Sequence, residues 1–531
     1  MSGLWRHPPL PLPVSAPAPP KTQRESHKGK EGQAWRTRGM MLTGITALLL
    51  LLLVLLLLAL ARRGWGAQGT QTWGGVSYPP GPTPLPLLGN LLQLESGRLD
   101  HALMELSGRW GPVFTVWLGP RPAVVLCGYS ALRDALVPDA SGRGVANSLG
   151  RPFSAPSPGI VFSNGRRWLT LRNFALGALK EFGLGTRTIE RIMEEAACLL
   201  REFQATIGAP FDPRQLLDNA VSNVICSVVF GNRYGYKDPE FLSKVPVQFP
   251  RRGTKGLVHG PAAIMSPQMY NIFPSLLNWL PGPHHRILQN FRELQVFISE
   301  QIRQHQQTRQ PGEPRDFIDC FLDQMEKVQA SHFREETLVM TTRNLFFGGT
   351  ETTSTTLRFG LLILLKYPEV AAKVQAELDA VVGRTHPPRL EDRECLPYTN
   401  AVLHEIQRFI SVLPLGLPRA LTRDAHLRGY FLPKGTFMVP LLVSSHRDPM
   451  RFKDPDCFNP TNFLNDKGEF QSKRMCLGAG LARSEIFLFL TTILQRFCLL
   501  PAGSPGGIDL TPRYTGLGNI PPAFQLRLVA R

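Results

Sequence analysis

Lys473-Arg474-Met475-Cys476-Leu477-Gly478-Ala479-Gly480 stands directly before an apolar run, Ile486–Leu490, in a segment with helical periodicity from Ala479 to Phe497. A cysteine at the mouth of a helix has backbone N–H groups and the positive end of the helix dipole aimed at its sulfur. Both favour thiolate over thiol. Gly478 and Gly480 remove side chains beside it, so a flat, bulky ligand could approach. Arg474, two positions earlier, could reach an anionic group on that ligand. A small buried hydrophobe is the commonest fate of a free cysteine, and the stretch alone leaves both readings open.

Three constellations lie upstream. Phe346-Phe347-Gly348-Gly349-Thr350-Glu351-Thr352-Thr353 sits inside a long apolar helical pattern, Glu335–Lys366. Two glycines in mid-helix cost about 1 kcal/mol each relative to alanine, so close approach of a ligand would be a natural compensation. A mid-helix threonine can bond the carbonyl one turn back and bend the helix, leaving room for a water or dioxygen molecule. Glu351 beside Thr352 then reads as an acid–alcohol pair able to relay protons into a dry cavity. The alternative is a packed helix with a surface glutamate. Glu405-x-x-Arg408 is a common i, i+3 ion pair worth only ~0.3 kcal/mol on a surface, and Glu300-x-x-Arg303 matches it equally. The apolar flanks leading to Leu413-Pro414 and Leu417-Pro418-Arg419 predict that Glu405 and Arg408 are buried. Trp168-x-x-x-Arg172 puts an indole N–H and a guanidinium on one helical face, which suits a carboxylate.

Composition sets the frame. The chain has 531 residues, 43% apolar and 19% charged, with a formal charge of +18. That excludes disordered and fibrous classes, and the aperiodic glycine and proline exclude collagen. Eight cysteines at irregular spacing, with no C-x-x-C pair, form neither a disulfide framework nor a zinc ribbon; reduced cysteines facing the cytosol are the simplest reading. The charge fits an anionic membrane surface or an acidic partner, and no nucleic-acid motif accompanies it. Residues 41–61 lack charge and proline and are long enough, at ~1.5 Å per residue, to cross a bilayer as a single anchor helix. Residues 1–40 carry seven Lys/Arg against two Glu, with seven prolines between Pro8 and Pro20, and read as a basic, disordered extension. Charge at this arm would send the body across the membrane, whereas a start at Met40 or Met41 leaves Arg62–Arg63 to hold it in the cytosol. The second topology agrees with reduced cysteines. Residues 62–84 are a Gly-rich spacer ending in Tyr78-Pro79-Pro80-Gly81-Pro82-Thr83-Pro84, an extended hinge. Residues 85–531 read as one mainly helical domain, with further helical patterns at Thr188–Phe203, Arg286–Gln307, Glu369–Val382 and Tyr398–Ile410. Strand-like runs are Val113–Leu118, Ala123–Cys127 and Thr436–Leu442.

The order of these features resembles a membrane-bound cytochrome P-450 from about Pro79 to Arg531: anchor, Pro-Pro-Gly-Pro hinge, W-x-x-x-R, G-G-x-E-T-T, E-x-x-R, then C-x-G. Val161-Phe162-Ser163-Asn164-Gly165, Leu396-Pro397-Tyr398-Thr399 and Asn519-Ile520-Pro521-Pro522 are similar to family 2, the microsomal xenobiotic-oxidising group. The resemblance implies a mainly α fold with a small β portion, behind a single N-terminal transmembrane helix. It implies a heme-thiolate monooxygenase that inserts one oxygen atom of O2 into a lipophilic small molecule of xenobiotic, fatty acid or steroid type. By the same carry-over Cys476 is the axial ligand of heme b iron, and Glu351 and Thr352 deliver protons for dioxygen activation. Trp168, Arg172, Arg419, Arg474 and Arg143 hold the heme propionates, since Arg–carboxylate pairing is bidentate. Glu405 and Arg408 form the structural pair, and Phe347, Gly348, Leu413, Leu417 and Leu517 line an apolar substrate cavity. Electrons come from NADPH through a flavoprotein reductase, with cytochrome b5 as a further donor, at an endoplasmic reticulum membrane with the catalytic domain in the cytosol. No nucleic-acid partner is implied.

Three departures from the family pattern stand out. Seven and four positions before Cys476 the family has an aromatic and a glycine; here Glu469 and Ser472 stand there, with Phe470 one step off. The interval Phe463–Cys476 is shorter by roughly ten residues in the loop that shields the ligand sulfur, which should expose the thiolate and weaken heme retention. Asn462 also replaces a basic residue that completes the Glu–Arg network. Ser243–Pro267, with four prolines and three glycines, cannot form the family's roof helix, and the pattern returns at Gln268-Met269-Tyr270-Asn271. Gly348 replaces the usual alanine, a mild change. Abrupt losses beside intact flanks point to altered splicing or a faulty gene model, which the transcript sequence would test. They also define the alternative reading, a relative that binds heme poorly and turns nothing over. A heme-thiolate isomerase is disfavoured because the acid–alcohol pair is present.

Overall fold

The computed structural model describes residues 48, 51–52, 72–73, 76–94, 98–136, 145–146, 159–161, 163, 165–183, 186–239, 241, 279, 283–328, 332–417, 419–465, 478–515 and 518–531. The chain divides into two units, Met1–Gln68 and Gly69–Arg531. In the first, Leu48, Leu51 and Leu52 are helical and exposed. Among the described residues no helix is long and apolar enough to cross a membrane. The segment 41–61 expected to anchor the chain lies, apart from those three leucines, outside the described residues.

The second unit is mainly helical. Its principal helices are α1 (Leu99–Trp110), α2 (Tyr129–Leu136), α3 (Gly165–Gly183), α4 (Thr186–Gln204), α5 (Arg214–Phe230), α6 (Pro283–Thr308), α7 (Phe317–Lys327), α8 (Glu335–Lys366), α9 (Pro368–Val381), α10 (Pro397–Ile410) and α11 (Ala479–Arg496). Their ends follow local chemistry. Pro368 and Pro397 open α9 and α10 at the first turn, where a missing N–H costs nothing. The Asp316 carboxylate accepts the Asp319 N–H and caps α7. Gly231 closes α5 in the left-handed region at φ 72°.

α8 is apolar nearly all round in its second half, and Leu357–Leu365 are buried without interruption. Such a helix has no solvent face, so it lies in the middle. Leu357, Leu361 and Leu364 of α8 share one core with Val402 and Ile406 of α10, Leu217 and Val224 of α5, and Phe487–Leu490 of α11. Each fully buried side chain of this kind contributes about 1.5–3 kcal/mol. A second core gathers Ile160, Phe230, Phe297, Phe321 and Phe346, along the first half of α8.

The β portion is small. A five-stranded sheet has the order β1-β2-β5-β4-β3, with β1 Val113–Leu118, β2 Arg121–Cys127, β3 Val145–Ala146, β4 Arg419–Leu421 and β5 Phe437–Leu441. β2 and β5 run parallel, Ala123 opposite Phe437 and Cys127 opposite Leu441, while the other pairs are antiparallel. The proline run before the domain is neither helix nor strand, and it is docked on this sheet. Pro80 C=O accepts the Thr115 N–H at 2.9 Å, and Tyr78 is buried edge-on against Trp117. A Cβ at Gly81 would lie 1.9 Å from the Thr115 carbonyl oxygen, so only glycine permits the approach.

Candidate active site between two central helices

Two segments converge where α8 passes α11. The first is the middle of α8, which runs unbroken through Gly348-Gly349. The Thr352 hydroxyl donates to the Gly348 carbonyl at 2.7 Å, and the Thr356 hydroxyl donates to the Thr352 carbonyl at 2.8 Å. These back-bonds spend side-chain donors on carbonyls one turn earlier, the device expected to loosen a helix locally. The two glycines behave differently. Gly348 is exposed, and a Cβ there would meet no atom within 4 Å. At Gly349 a Cβ would lie 2.4 Å from Ile225 Cδ1 of α5, so helix–helix packing occupies that position and no ligand is needed to explain it. The expectation that a ligand compensates both glycines therefore holds room only at Gly348.

Glu351 is half-buried as a residue, yet its Oε1 is sealed from solvent and has no hydrogen-bond partner. Burial, then the negative charge of Asp218 on α5, push its carboxyl up to about 8, against the opposing pull of Arg214 and Arg358. Asp218 is buried and pairs at 3.7 Å with Arg214, whose side chain is 31% exposed and so reaches solvent. Arg358, two turns beyond Glu351, is buried with Nε unpartnered, and desolvation draws its guanidinium below the usual value. Sequence reasoning missed these three residues because they come from a second helix or a different turn; an Arg-x-x-x-Asp pair on one helix gives no sign of which glutamate on another helix it approaches.

The second segment is the start of α11. Gly478 precedes its first residue, and a Cβ there would meet nothing within 4 Å. Gly348 and Gly478 thus both leave open space beside their backbones, and α8 and α11 share a core. Cys476 and Arg474 lie outside the described residues, as do Arg143, Leu517, Glu469, Phe470, Ser472 and the segments 243–267 and 268–271. On α11 the glutamate inside its apolar run, Glu485, is fully buried. Burial pushes its carboxyl well up, the Thr353 hydroxyl donates to it, and Oε2 has no partner. A lone acid one residue before Ile486–Leu490 was the signal that could have marked it.

The described residues expected to meet the propionates come from separate elements. Trp168 and Arg172 lie on one face of α3, with the guanidinium carbon 5.6 Å from the indole centroid. Arg419 opens β4, and burial draws its guanidinium below the usual value. Phe347 is half-buried, its ring 6.4 Å from Phe291 of α6. Leu413 and Leu417 are half-buried in the loop from α10 to β4. That loop is pinned by Asn519, whose amide donates to Ile410 C=O at 2.9 Å and Ser411 C=O at 3.0 Å, while its backbone N–H bonds Val412.

Glu405 and Arg408 are fully and nearly fully buried and form a bidentate pair, with both N–O distances 2.7 Å. Arg408 also donates to the carbonyls of His446, Pro455 and Cys457, and Asn459 N–H donates to Glu405. Glu300 and Arg303, with the same spacing, make an exposed pair on α6. Asn462 is turned away from the buried pair. Its Oδ1 accepts the Lys453 N–H, and its Nδ2 is buried without a partner. The backbone carbonyls complete the network in place of a basic side chain.

A family model described as Cytochrome P450 matches residues 79–528. The chain is 48% identical over 475 residues to Cytochrome P450 2F2 of Rattus norvegicus, covering 86% of this chain and 94% of that protein. It is 45% identical over 470 residues to Cytochrome P450 2B4 of Oryctolagus cuniculus (85% and 94% covered) and 47% over 474 residues to Cytochrome P450 2F1 of Homo sapiens (85% and 94%).

Proposed function

The chain belongs to the cytochrome P450 family, among the heme-thiolate monooxygenases of family 2, and from that premise we propose how its own residues divide the work. Cys476, three residues before α11, supplies the thiolate. Heme, when bound, supplies the centre at which dioxygen is activated and one of its atoms is inserted into a C–H bond. Trp168, Arg172, Arg419, Arg474 and Arg143 are the donors for its propionates; the buried guanidinium of Arg419 supports that assignment.

Thr352 and Glu351 handle protons. The observation that carries this reading is the Thr352 hydroxyl held on the Gly348 carbonyl beside open space. A hydroxyl so fixed can present its oxygen lone pairs to one side and accept a proton as it gives one up. Glu351 keeps its carboxyl protonated near neutrality and can refill that position, while the charges of Asp218 and of the partly exposed Arg214 set how readily it gives its proton up. Glu405 and Arg408 lock the segment 446–459 on α10 and do no chemistry. Phe347, Gly348, Leu413, Leu417 and Leu517 line the space for a lipophilic small molecule held mainly by burial.

Electrons come from NADPH through a flavoprotein reductase with an acidic face, which the +18 charge complements, and cytochrome b5 is a second donor. The protein is anchored by residues 41–61 in the endoplasmic reticulum membrane, with residues 85–531 in the cytosol and 62–84 between them. The test is the reduced carbon monoxide spectrum of the expressed chain. A strongly red-shifted Soret band supports thiolate ligation by Cys476. Its absence, or the band of a nitrogen or neutral-thiol ligand, would favour a relative that binds heme poorly and does not turn over, the outcome the short Phe463–Cys476 interval makes specific.

A further inference from the structure

His305, on the last turn of α6, packs against the start of α7 with its side chain only 8% exposed. Its two ring nitrogens face two acceptors. Nδ1 lies 2.7 Å from the Gln301 carbonyl oxygen one turn back, and Nε2 lies 2.9 Å from Asp316 Oδ2. A carbonyl oxygen only accepts, so Nδ1 carries a hydrogen. Asp316 Oδ1 accepts the Asp319 N–H at 3.0 Å as the cap of α7, a position that favours the carboxylate, so Nε2 carries one too. A neutral imidazole has a single N–H and would turn a lone pair toward one of these acceptors. The end of α5 closes the pair in: a Cβ on Gly231 would lie 2.9 Å from Asp316 Oδ2. Between His305 and Asp316 the chain makes an exposed turn, Gln310–Glu313.

We propose that His305 is a pH-sensitive latch: as an imidazolium it holds the corner between α6 and α7 shut, and on losing its proton it lets that corner open locally. Asp319 adds a second negative charge behind Asp316 and is held by Arg315 at 2.6 and 3.1 Å. The other charges of the surrounding elements are engaged elsewhere or face solvent. Arg309 donates to Asp323 at 2.6 Å and to Glu326, and Arg233 beyond α5 pairs with Glu195 at 2.9 Å. Glu300 and Arg303 of α6, Lys180 of α3, and Arg334, Glu335 and Glu336 at the start of α8 are exposed. His305, Asp316 and Asp319 are close enough together to suggest a cation site, but every carboxylate oxygen of the group already accepts an N–H. Burial draws the imidazolium down, yet Asp316, then the Gln301 carbonyl and Asp319, outweigh it and hold it above the ordinary 6.5. The latch is therefore fully effective below 6.5 and is lost as pH rises through the higher folded-state value.

The test is hydrogen–deuterium exchange of the full-length holoprotein across mildly acidic to alkaline buffers, read peptide by peptide and corrected for the intrinsic exchange rate. Peptides within 301–319 should show an opening constant that is flat below the ordinary imidazole value, rises about tenfold per pH unit above it, and then levels off. Peptides of α9 should stay flat. His305→Gln removes the titrating ring and should leave the corner open to the same extent at every pH. Asp316→Asn keeps the cap, since asparagine caps a helix as well as aspartate does. Its amide N–H favours the neutral ring, so the rise should vanish or reverse. A flat wild-type profile would overturn the latch, as would a rise that survives in His305→Gln or one shared equally by α9. If neither variant folds, the wild-type profile still decides: a rise confined to 301–319 supports the latch, and its absence ends it.

Discussion

At the scale of single residues the proposed chemistry turns on where Glu351 sends its proton. Its carboxyl is held up to about 8 by burial first and by Asp218 second. Below that value it carries a proton; above it the proton is lost. Asp218→Asn removes a negative charge and leaves Arg214 unneutralised, and both changes favour the carboxylate. The alkaline limb of product formed per NADPH consumed should therefore move to lower pH. A limb that stays in place would detach Glu351 from the relay. Thr352→Ala deletes the hydroxyl that rests on Gly348 and should let NADPH oxidation continue while product falls by about 100-fold or more, the usual size of a lost proton-transfer group. Equal coupling in variant and parent would remove its assigned role.

Helices are where the polar groups are put to structural use. Arg408 binds Glu405 and three carbonyls of a separate segment, so truncating it orphans a buried carboxylate and opens that segment at once. Arg408→Ala should cost about 3–5 kcal/mol and yield protein that does not retain heme, whereas Arg303→Ala on α6 should leave unfolding unchanged within error. Chemical denaturation of the pair decides it. Glu485 gives a different test. Its folded-state carboxyl is held well above the ordinary 4.5, so the unfolded chain releases a proton that the folded chain keeps. Its contribution is complete below the unfolded value and is lost as pH rises toward the folded one. Glu485→Gln keeps an acceptor for Thr353 and has nothing to ionise. The decline in Tm between mildly acidic and mildly alkaline buffer should be shallower in the variant; an identical or steeper decline would show that the carboxyl titrates freely.

For the whole molecule, charge and anchor act together. The +18 balance and the apolar run at 41–61 are what the proposed anionic membrane surface and acidic electron donor rest on. Full-length protein should sediment with microsomes and resist extraction by salt. A chain lacking residues 1–61 should shift toward the salt-extractable fraction and keep its heme, because the core is confined to the unit Gly69–Arg531. Reductase-supported turnover should fall as ionic strength rises, since exposed charge pairs are screened beyond about 8 Å at physiological salt. Salt-independent turnover would argue against charge-led docking.

Periodicity and punctuation were sufficient for the long elements. Glu335–Lys366 and Val113–Leu118 were legible to their end residues, and α9, α10 and α11 to within one residue at each end, because an apolar stripe bounded by proline or glycine is a local property of the chain. α5 was not legible, since its sequence Arg214–Phe230 buries nearly every side chain and presents no stripe. In the same way sequence offered Glu351, Thr352, Glu405 and Arg408 as candidates, and the apolar flanks alone told Glu405–Arg408 from Glu300–Arg303, but it could not separate Gly348 from Gly349 or name the carbonyls that hold Arg408. Those distinctions belong to the tertiary structure. Which carbonyls hold a buried charge, and whether a glycine faces a neighbouring helix or open space, depends on segments from tens to more than a hundred residues away, and no local pattern carries that information.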